Sequence, residues 1–159
     1  MAEHDHEGGS NELTQRPGRL EARAAIEELK ASYARLADAV FREPGHASAV
    51  ALAAIFTADG VLDLGPFGRF EGRPALLNAF ENVLPLATKW TTHYIVSPQL
   101  SIDHDRAEGD WYFLIKSVPQ DPPQAPVFEI MGAYADKYQR VGHDWKIRES
   151  ISRFFVPPT

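Results

Sequence analysis

The chain has 159 residues, 44% of them apolar and 11% aromatic, and a formal net charge of −6. That length fits one domain, and an acidic balance without any Lys/Arg cluster argues against a nucleic-acid partner. Cysteine is absent, which excludes disulfides, Cys-ligated zinc, iron–sulfur clusters and thiol nucleophiles.

Residues 1–18, with His4, His6, Gly8, Gly9 and Ser10 and then Pro17-Gly18, are polar and read as a disordered tail. They contain no apolar segment of the secretory kind, and no apolar run in the chain nears the ~20 residues of a membrane span. The expectation is a soluble, cytoplasmic protein with one domain over residues 19–156. The spacing predicts a helix over residues 20–41, with Ile26, Leu29, Tyr33, Leu36, Ala37, Val40 and Phe41 on one stripe. Pro44 ends it, and a second Ala/Leu-rich helix follows over 47–56. Thr57-Ala58-Asp59-Gly60 reads as a turn before a strand at 61–64, and Arg69-Phe70-Glu71 as the next short strand. Pro74 opens a third helix that carries Leu76, Leu77, Phe80 and Leu84 and stops at Pro85.

Beyond Lys89 the pattern alternates with period two, which predicts strands at 90–98, 99–103, 107–118, 127–138 and 145–155. The Pro-rich stretch 119–126 reads as a loop. Helices first and an antiparallel meander second make this an α+β domain. A twisted sheet folded around a long amphipathic helix encloses a cone-shaped hollow, an ordinary place for a small-molecule site. Phe56, Trp90, Phe113, Phe128 and Met131 are the candidate lining residues, although packing alone also accounts for an aromatic stripe.

Several segments together resemble the SnoaL-like branch of the NTF2-like (cystatin-like α+β) superfamily. They are the opening helix from Ile26 to Asp38, Ile55-Phe56-Thr57-Ala58-Asp59-Gly60, Phe70-Glu71-Gly72-Arg73-Pro74, Thr92-His93-Tyr94, Gly132-Ala133-Tyr134-Ala135-Asp136 and His143-Asp144-Trp145-Lys146-Ile147-Arg148. The resemblance implies three helices packed on a strongly curved, mostly antiparallel sheet around a pocket. Some lyases of that superfamily, among them dehydratases of the scytalone and bile-acid types and a dehydrochlorinase, use an Asp–His dyad inside the cone. Asp38 and His93 match the dyad, Tyr33 a cavity position that often carries Tyr or Lys, and Arg148 a frequent cavity arginine. The resemblance thus implies a cofactor-independent dehydratase-type lyase, or an isomerase or cyclase, acting on an apolar cyclic molecule. His93 would be the base, Asp38 its orienter, Tyr33 a hydrogen-bond donor and Arg148 an anchor, with no metal. The superfamily also contains non-catalytic binding and assembly modules and dioxygenase small subunits, and its members commonly pair through the outer sheet face, so a homodimer is expected.

The residues themselves leave alternatives open. Tyr33 lies near the middle of the apolar stripe, but Asp38 falls about 60° beyond Phe41 at ~100° per residue, where a solvated charge is equally at home. Lys30 lies within the stripe, with snorkelling to the surface the expected arrangement. Arg148 shares strand parity with Lys146 and Ser150, opposite Trp145 and Ile147, which also suits an outer surface. Glu129 shares parity with Met131 at the expected mouth of the cone, and Asp136 reads as a surface charge. His104 sits in a hairpin turn between Asp103 and Asp105 without a second cluster to complete a metal site.

Overall fold

The computed structural model describes residues 8–155, with side chains from Gly18 onward. Helix α1 (Gly8–Arg42) crosses the concave face of a six-stranded sheet and is followed by α2 (His46–Ala54). Strands β1 (Phe56–Asp63) and β2 (Arg69–Glu71), helix α3 (Arg73–Asn78), a π-helical turn (Ala79–Val83) and helix α4 (Leu84–Ala87) come next. Four long strands follow: β3 (Thr88–Asp103), β4 (Arg106–Pro119), β5 (Phe128–Val141) and β6 (Asp144–Phe154). The strand order is β2-β1-β6-β5-β4-β3. Only β1 and β6 run parallel; every other pair is antiparallel. This is the expected α+β cone, a mixed, mostly antiparallel sheet.

The apolar stripe of α1 explains its placement. Ile26, Tyr33, Ala37 and Val40 are buried against the sheet, whose inward positions on β4 (Ala107, Trp111, Phe113) and β5 (Tyr134, Tyr138) supply the opposing core. The alternation of β4 is regular, buried residues facing α1 and exposed ones facing away.

Four boundaries differ from the sequence reading. Helix α1 begins at Gly8, ahead of the start expected at residue 20; Glu12 and Leu13 are good helix formers and extending an existing helix costs little. Residues 1–7, including His4 and His6, lie outside the described residues. The turn at 57–60 is instead a bulge inside β1: Phe56 pairs with Ile147 and Val61 with Glu149, so four residues of β1 stand against the single Arg148. The third helix does not stop at Pro85. Pro85 has no N–H for an ordinary helical bond, and the chain widens into the π turn before it and restarts in α4. The strands expected at 90–98 and 99–103 are one strand, β3, interrupted by a bulge between Val96 and Gln99 where Ser97 adopts φ 56°.

The loop between β4 and β5 is tied back to α4. The Gln120 amide N–H donates to Ala87 O at 3.0 Å, and Gln120 Nε2 to Pro85 O at 2.9 Å. These bonds set the height of one rim of the cone.

Candidate active site

Asp38 projects from the last turns of α1 towards β3, where the pleat turns Thr91 and His93 inward together. Its Oδ1 lies 2.6 Å from His93 Nδ1 and accepts the Thr91 hydroxyl at 2.8 Å, while Oδ2 accepts the His93 backbone N–H at 3.3 Å. The Asp38 and His93 side chains are 11% and 8% exposed. Burial alone pushes the Asp38 carboxyl up. The hydrogen bonds and positive character of His93, together with the Thr91 hydroxyl, outweigh that and hold it below its ordinary value. A carboxylate on Nδ1 fixes the imidazole tautomer, and Nε2 is left to accept a proton.

His93 opens onto a cavity of about 200 Å³ lined by α1, α2, β1 and the turn after it, the segment from the π turn to α4, and the inner faces of β3 to β6. Its wall is mostly apolar: Val40, Leu62, Phe80, Ile115, Ile130 and Phe154 are representative. The polar groups that reach it are His93, Tyr33, Tyr134 and the hydroxyls of Thr88, Thr91, Ser117 and Ser152. Among the described lining residues none is Asp, Glu, Lys or Arg. The Tyr33 ring stands edge-on to both the His93 ring, at 6.3 Å, and the Tyr134 ring, at 5.9 Å. Burial, reinforced by the nearby Asp136 carboxylate, raises the Tyr33 phenol above its ordinary value, and Tyr134 is raised chiefly by burial too. Both stay protonated at neutral pH; Tyr134 donates to the Tyr33 oxygen, which leaves the Tyr33 hydroxyl as the donor available to the cavity.

Of the sequence candidates, the structure brings His93, Asp38, Tyr33 and Phe128 to the site, Asp38 from behind His93 and Thr91. Arg148 is not among them. It stands opposite the β1 bulge, donating to Asp59 O at 2.8 Å and pairing with Asp59 Oδ2 at 3.2 Å. Its place follows from simple alternation with the inward Trp145 and Ile147; a register slip in β6, where Tyr138 pairs with Ile147 and Lys137 with Glu149, makes Arg148 the extra residue and switches strand parity beyond it. Ser150 and Ser152 turn inward in consequence, and Ser152 lines the cavity. An uninterrupted alternation, which the sequence alone suggests, conceals the inward turn of these two serines.

The other lining candidates are displaced for packing reasons. Phe56 is fully buried against Tyr33 and Phe80, and Phe113 stacks behind Tyr134 at a centroid distance of 4.4 Å, so both back the wall rather than form it. Trp90 has the opposite parity to Thr91 and lies under the Arg42 guanidinium at 5.4 Å. Met131 is 44% exposed on the outer face, and Glu129 pairs there with Lys116 at 3.1 Å.

Lys30 and Asp136 also depart from expectation. Neither reaches the surface: Lys30 Nζ lies 2.7 Å from Asp136 Oδ2, and both side chains are almost fully buried. Asp136 Oδ2 also accepts the Tyr138 hydroxyl at 2.6 Å, which in turn accepts Trp111 Nε1–H at 2.9 Å. The ammonium sits 3.8 Å from the Tyr134 ring centre and 4.4 Å from that of Tyr33, directly behind the tyrosine wall. Burial lowers the Lys30 ammonium from its ordinary value and Asp136 partly restores it. Its place inside the apolar stripe of α1 is the sequence signal for this arrangement.

No described helix is long and apolar enough to cross a membrane, and no cluster of three or more described His, Asp or Glu residues could hold a metal ion. Solved structures share the fold at low identity. A candidate scytalone dehydratase from Novosphingobium aromaticivorans matches at 20% identity and TM-score 0.74, with 87% of each chain covered. The LinA-type3 hexachlorocyclohexane dehydrochlorinase from Novosphingobium barchaimii matches at 23% identity and TM-score 0.70, over 88% of this chain and 97% of that one. An NTF2-like protein with a cystatin-like fold from N. aromaticivorans matches at 19% identity and TM-score 0.76, covering 96% and 94%. No curated protein matches the sequence. The SnoaL-like domain profile matches residues 18–151, nearly the whole of the described fold, and the chain belongs to that family.

Proposed function

We propose that the protein is a cofactor-independent lyase that removes water, or a comparable leaving group, from an uncharged cyclic molecule by general-base catalysis. The observation that carries this reading is the 2.6 Å contact between Asp38 and His93 at the wall of an apolar cavity. A neutral imidazole is a good base near pH 7, and a carboxylate behind it stabilises the imidazolium that forms. The named activities of two structural neighbours, a dehydratase and a dehydrochlorinase, are of the same kind.

In the proposed step, His93 Nε2 takes a proton from the carbon next to a ring carbonyl. The C–H pair becomes the new double bond, and the C–O bond of a β-hydroxyl breaks. The departing oxygen collects the proton from His93 and leaves as water, which restores the neutral imidazole. Tyr33, held protonated and itself accepting from the Tyr134 hydroxyl, donates a hydrogen bond to the carbonyl oxygen as negative charge builds there. An anionic substrate fits poorly, because the described cavity wall offers no lysine or arginine and Arg148 is engaged with Asp59.

The test is a panel of β-hydroxy cyclic ketones, monocyclic and bicyclic, followed by the absorbance of the enone product. The reading expects enone formation that falls by about 100-fold or more in His93→Gln. If no member of the panel turns over, while neutral bicyclic ketones bind equally well to the wild type and His93→Gln, the cavity is a binding site and the enzyme reading fails.

A further inference from the structure

Arg42 lies one helical turn beyond Asp38 on α1, at the end where the helix meets β3. Its Nη2 donates to the Thr91 carbonyl at 3.1 Å and to the Thr92 hydroxyl at 2.6 Å. The same nitrogen stands 3.9 Å from Asp38 Oδ2, and the guanidinium lies 5.4 Å from the Trp90 ring centre. Three consecutive residues of β3, Trp90 to Thr92, therefore hold one guanidinium against the back of the dyad. The two groups that hydrogen-bond Asp38 from β3, the Thr91 hydroxyl and the His93 N–H, belong to the same short segment.

We propose that Arg42 is a positioning residue for the Asp38–His93 pair. It clamps β3 so that Thr91 and His93 present their donors to Asp38, and it keeps a fixed positive charge behind the carboxylate. This inference rests on the reading of Asp38 and His93 as a working dyad. A role of this kind suits arginine. One nitrogen of its planar fork donates to both a carbonyl and a hydroxyl while the guanidinium lies 5.4 Å from an indole ring centre, and it keeps its charge at any pH at which the protein is folded. Lysine offers the charge without the fork.

The charged or titratable groups against His93 are Asp38 and Tyr33 on α1, with Arg42 behind Asp38 and Tyr134 of β5 behind Tyr33. Glu27, Lys30 and Arg35, with Tyr94 of β3, line the groove on its other side. Arg42 is 45% exposed, so its charge acts through a largely water-like medium and its effect is modest.

The experiment is an NMR titration of the His93 ring proton in the wild type, Arg42→Gln, Arg42→Lys and Asp38→Asn, with His93→Gln for assignment and thermal melts to verify folding. Removing a positive charge favours the imidazolium. Arg42→Gln is therefore expected to move the His93 midpoint up by about 0.3–0.5 pH unit, the size of a unit charge several ångströms away in water. Arg42→Lys is expected to leave the midpoint near the wild-type value, while the His93 backbone amide exchanges faster in both variants because the clamp on β3 is lost. An unchanged midpoint in Arg42→Gln, equal shifts in Gln and Lys variants, or unaltered amide exchange in both overturns the proposal. If Asp38→Asn also leaves His93 unmoved, it is the dyad itself that fails; a response to Asp38→Asn but not to Arg42→Gln rejects the role of Arg42 alone.

Discussion

Asp38 and His93 stand 55 residues apart in the chain and meet at 2.6 Å, one at the end of a helix and the other on an edge strand of the sheet. Neither periodicity alone requires this contact. It exists because α1 lies across the concave face and ends beside β3, where the pleat turns His93 inward next to Thr91. The same contact fixes the pH dependence of the site.

The Asp38 carboxyl is held below the ordinary value of 3.8. A carboxyl lowered in the folded state contributes stability that is complete above the unfolded value and lost as the pH falls through the folded one. Asp38→Asn is therefore expected to be destabilised against urea at pH 7 and to approach the wild type as the pH falls below 3.8 and through the lower folded-state value. Equal gaps in urea midpoint at pH 7 and at that low pH would contradict the assignment.

The buried Lys30–Asp136 pair predicts a non-additive mutant cycle. Asp136→Asn leaves an ammonium in the core without its counter-charge and is expected to cost about 3–5 kcal/mol. Replacing both partners with apolar residues, Lys30→Met with Asp136→Leu, is expected to recover most of that loss. Urea unfolding of the single and double variants measures the coupling, and additive losses would exclude it.

Arg148 should be unimportant to ligand chemistry. Its bonds to Asp59 brace the bulge of β1, and both side chains are substantially exposed, so Arg148→Ala is expected to cost less than about 1 kcal/mol. The His93 titration and the binding of neutral bicyclic ketones should stay at wild-type values. A tenfold loss of binding would place Arg148 in the site after all.

On the convex face of the sheet, Tyr94, Val96, Tyr112 and Met131 are 44–57% exposed and share one side of β3, β4 and β5, with the Phe155 ring 5.9 Å from that of Tyr112. A grouped apolar surface of this kind suits self-association, and a homodimer through this face is expected. Light scattering after size exclusion should give twice the chain mass for the wild type and one chain mass for Tyr112→Glu with Met131→Lys. A wild-type monomer at micromolar concentration would reject the interface.

Much of this arrangement was legible in the residues, and the exceptions are contacts and register shifts between distant segments. The period of Ile26, Tyr33, Ala37 and Val40 marks the buried face of α1, and strict alternation marks the inner face of β4. The contact between Asp38 and His93 was legible only through family resemblance, since periodicity left Asp38 at the edge of its stripe. Arg148 was placed in the cavity by the resemblance, while its parity opposite Trp145 and Ile147 suited the outer surface it occupies; the inward turn of Ser152 was hidden because a single extra residue in β6 reverses its parity, and nothing local in Lys146-Ile147-Arg148-Glu149 announces that slip. The turn expected at 57–60 is the other half of the same irregularity. Lys30 carried its signal openly, as a charge inside an apolar stripe, but its partner Asp136 lies 106 positions away on a strand where alternation alone gives no indication of charge pairing.

The central claim is that Asp38 orients and electrostatically supports His93 as a base, and the His93 titration in the wild type and Asp38→Asn tests it most directly. Removing the carboxylate charge disfavours the imidazolium, so the account predicts that the His93 midpoint falls by about one pH unit or more in the variant. A midpoint that stays where it was, with the fold intact, would contradict the dyad and leave the cavity as a binding site.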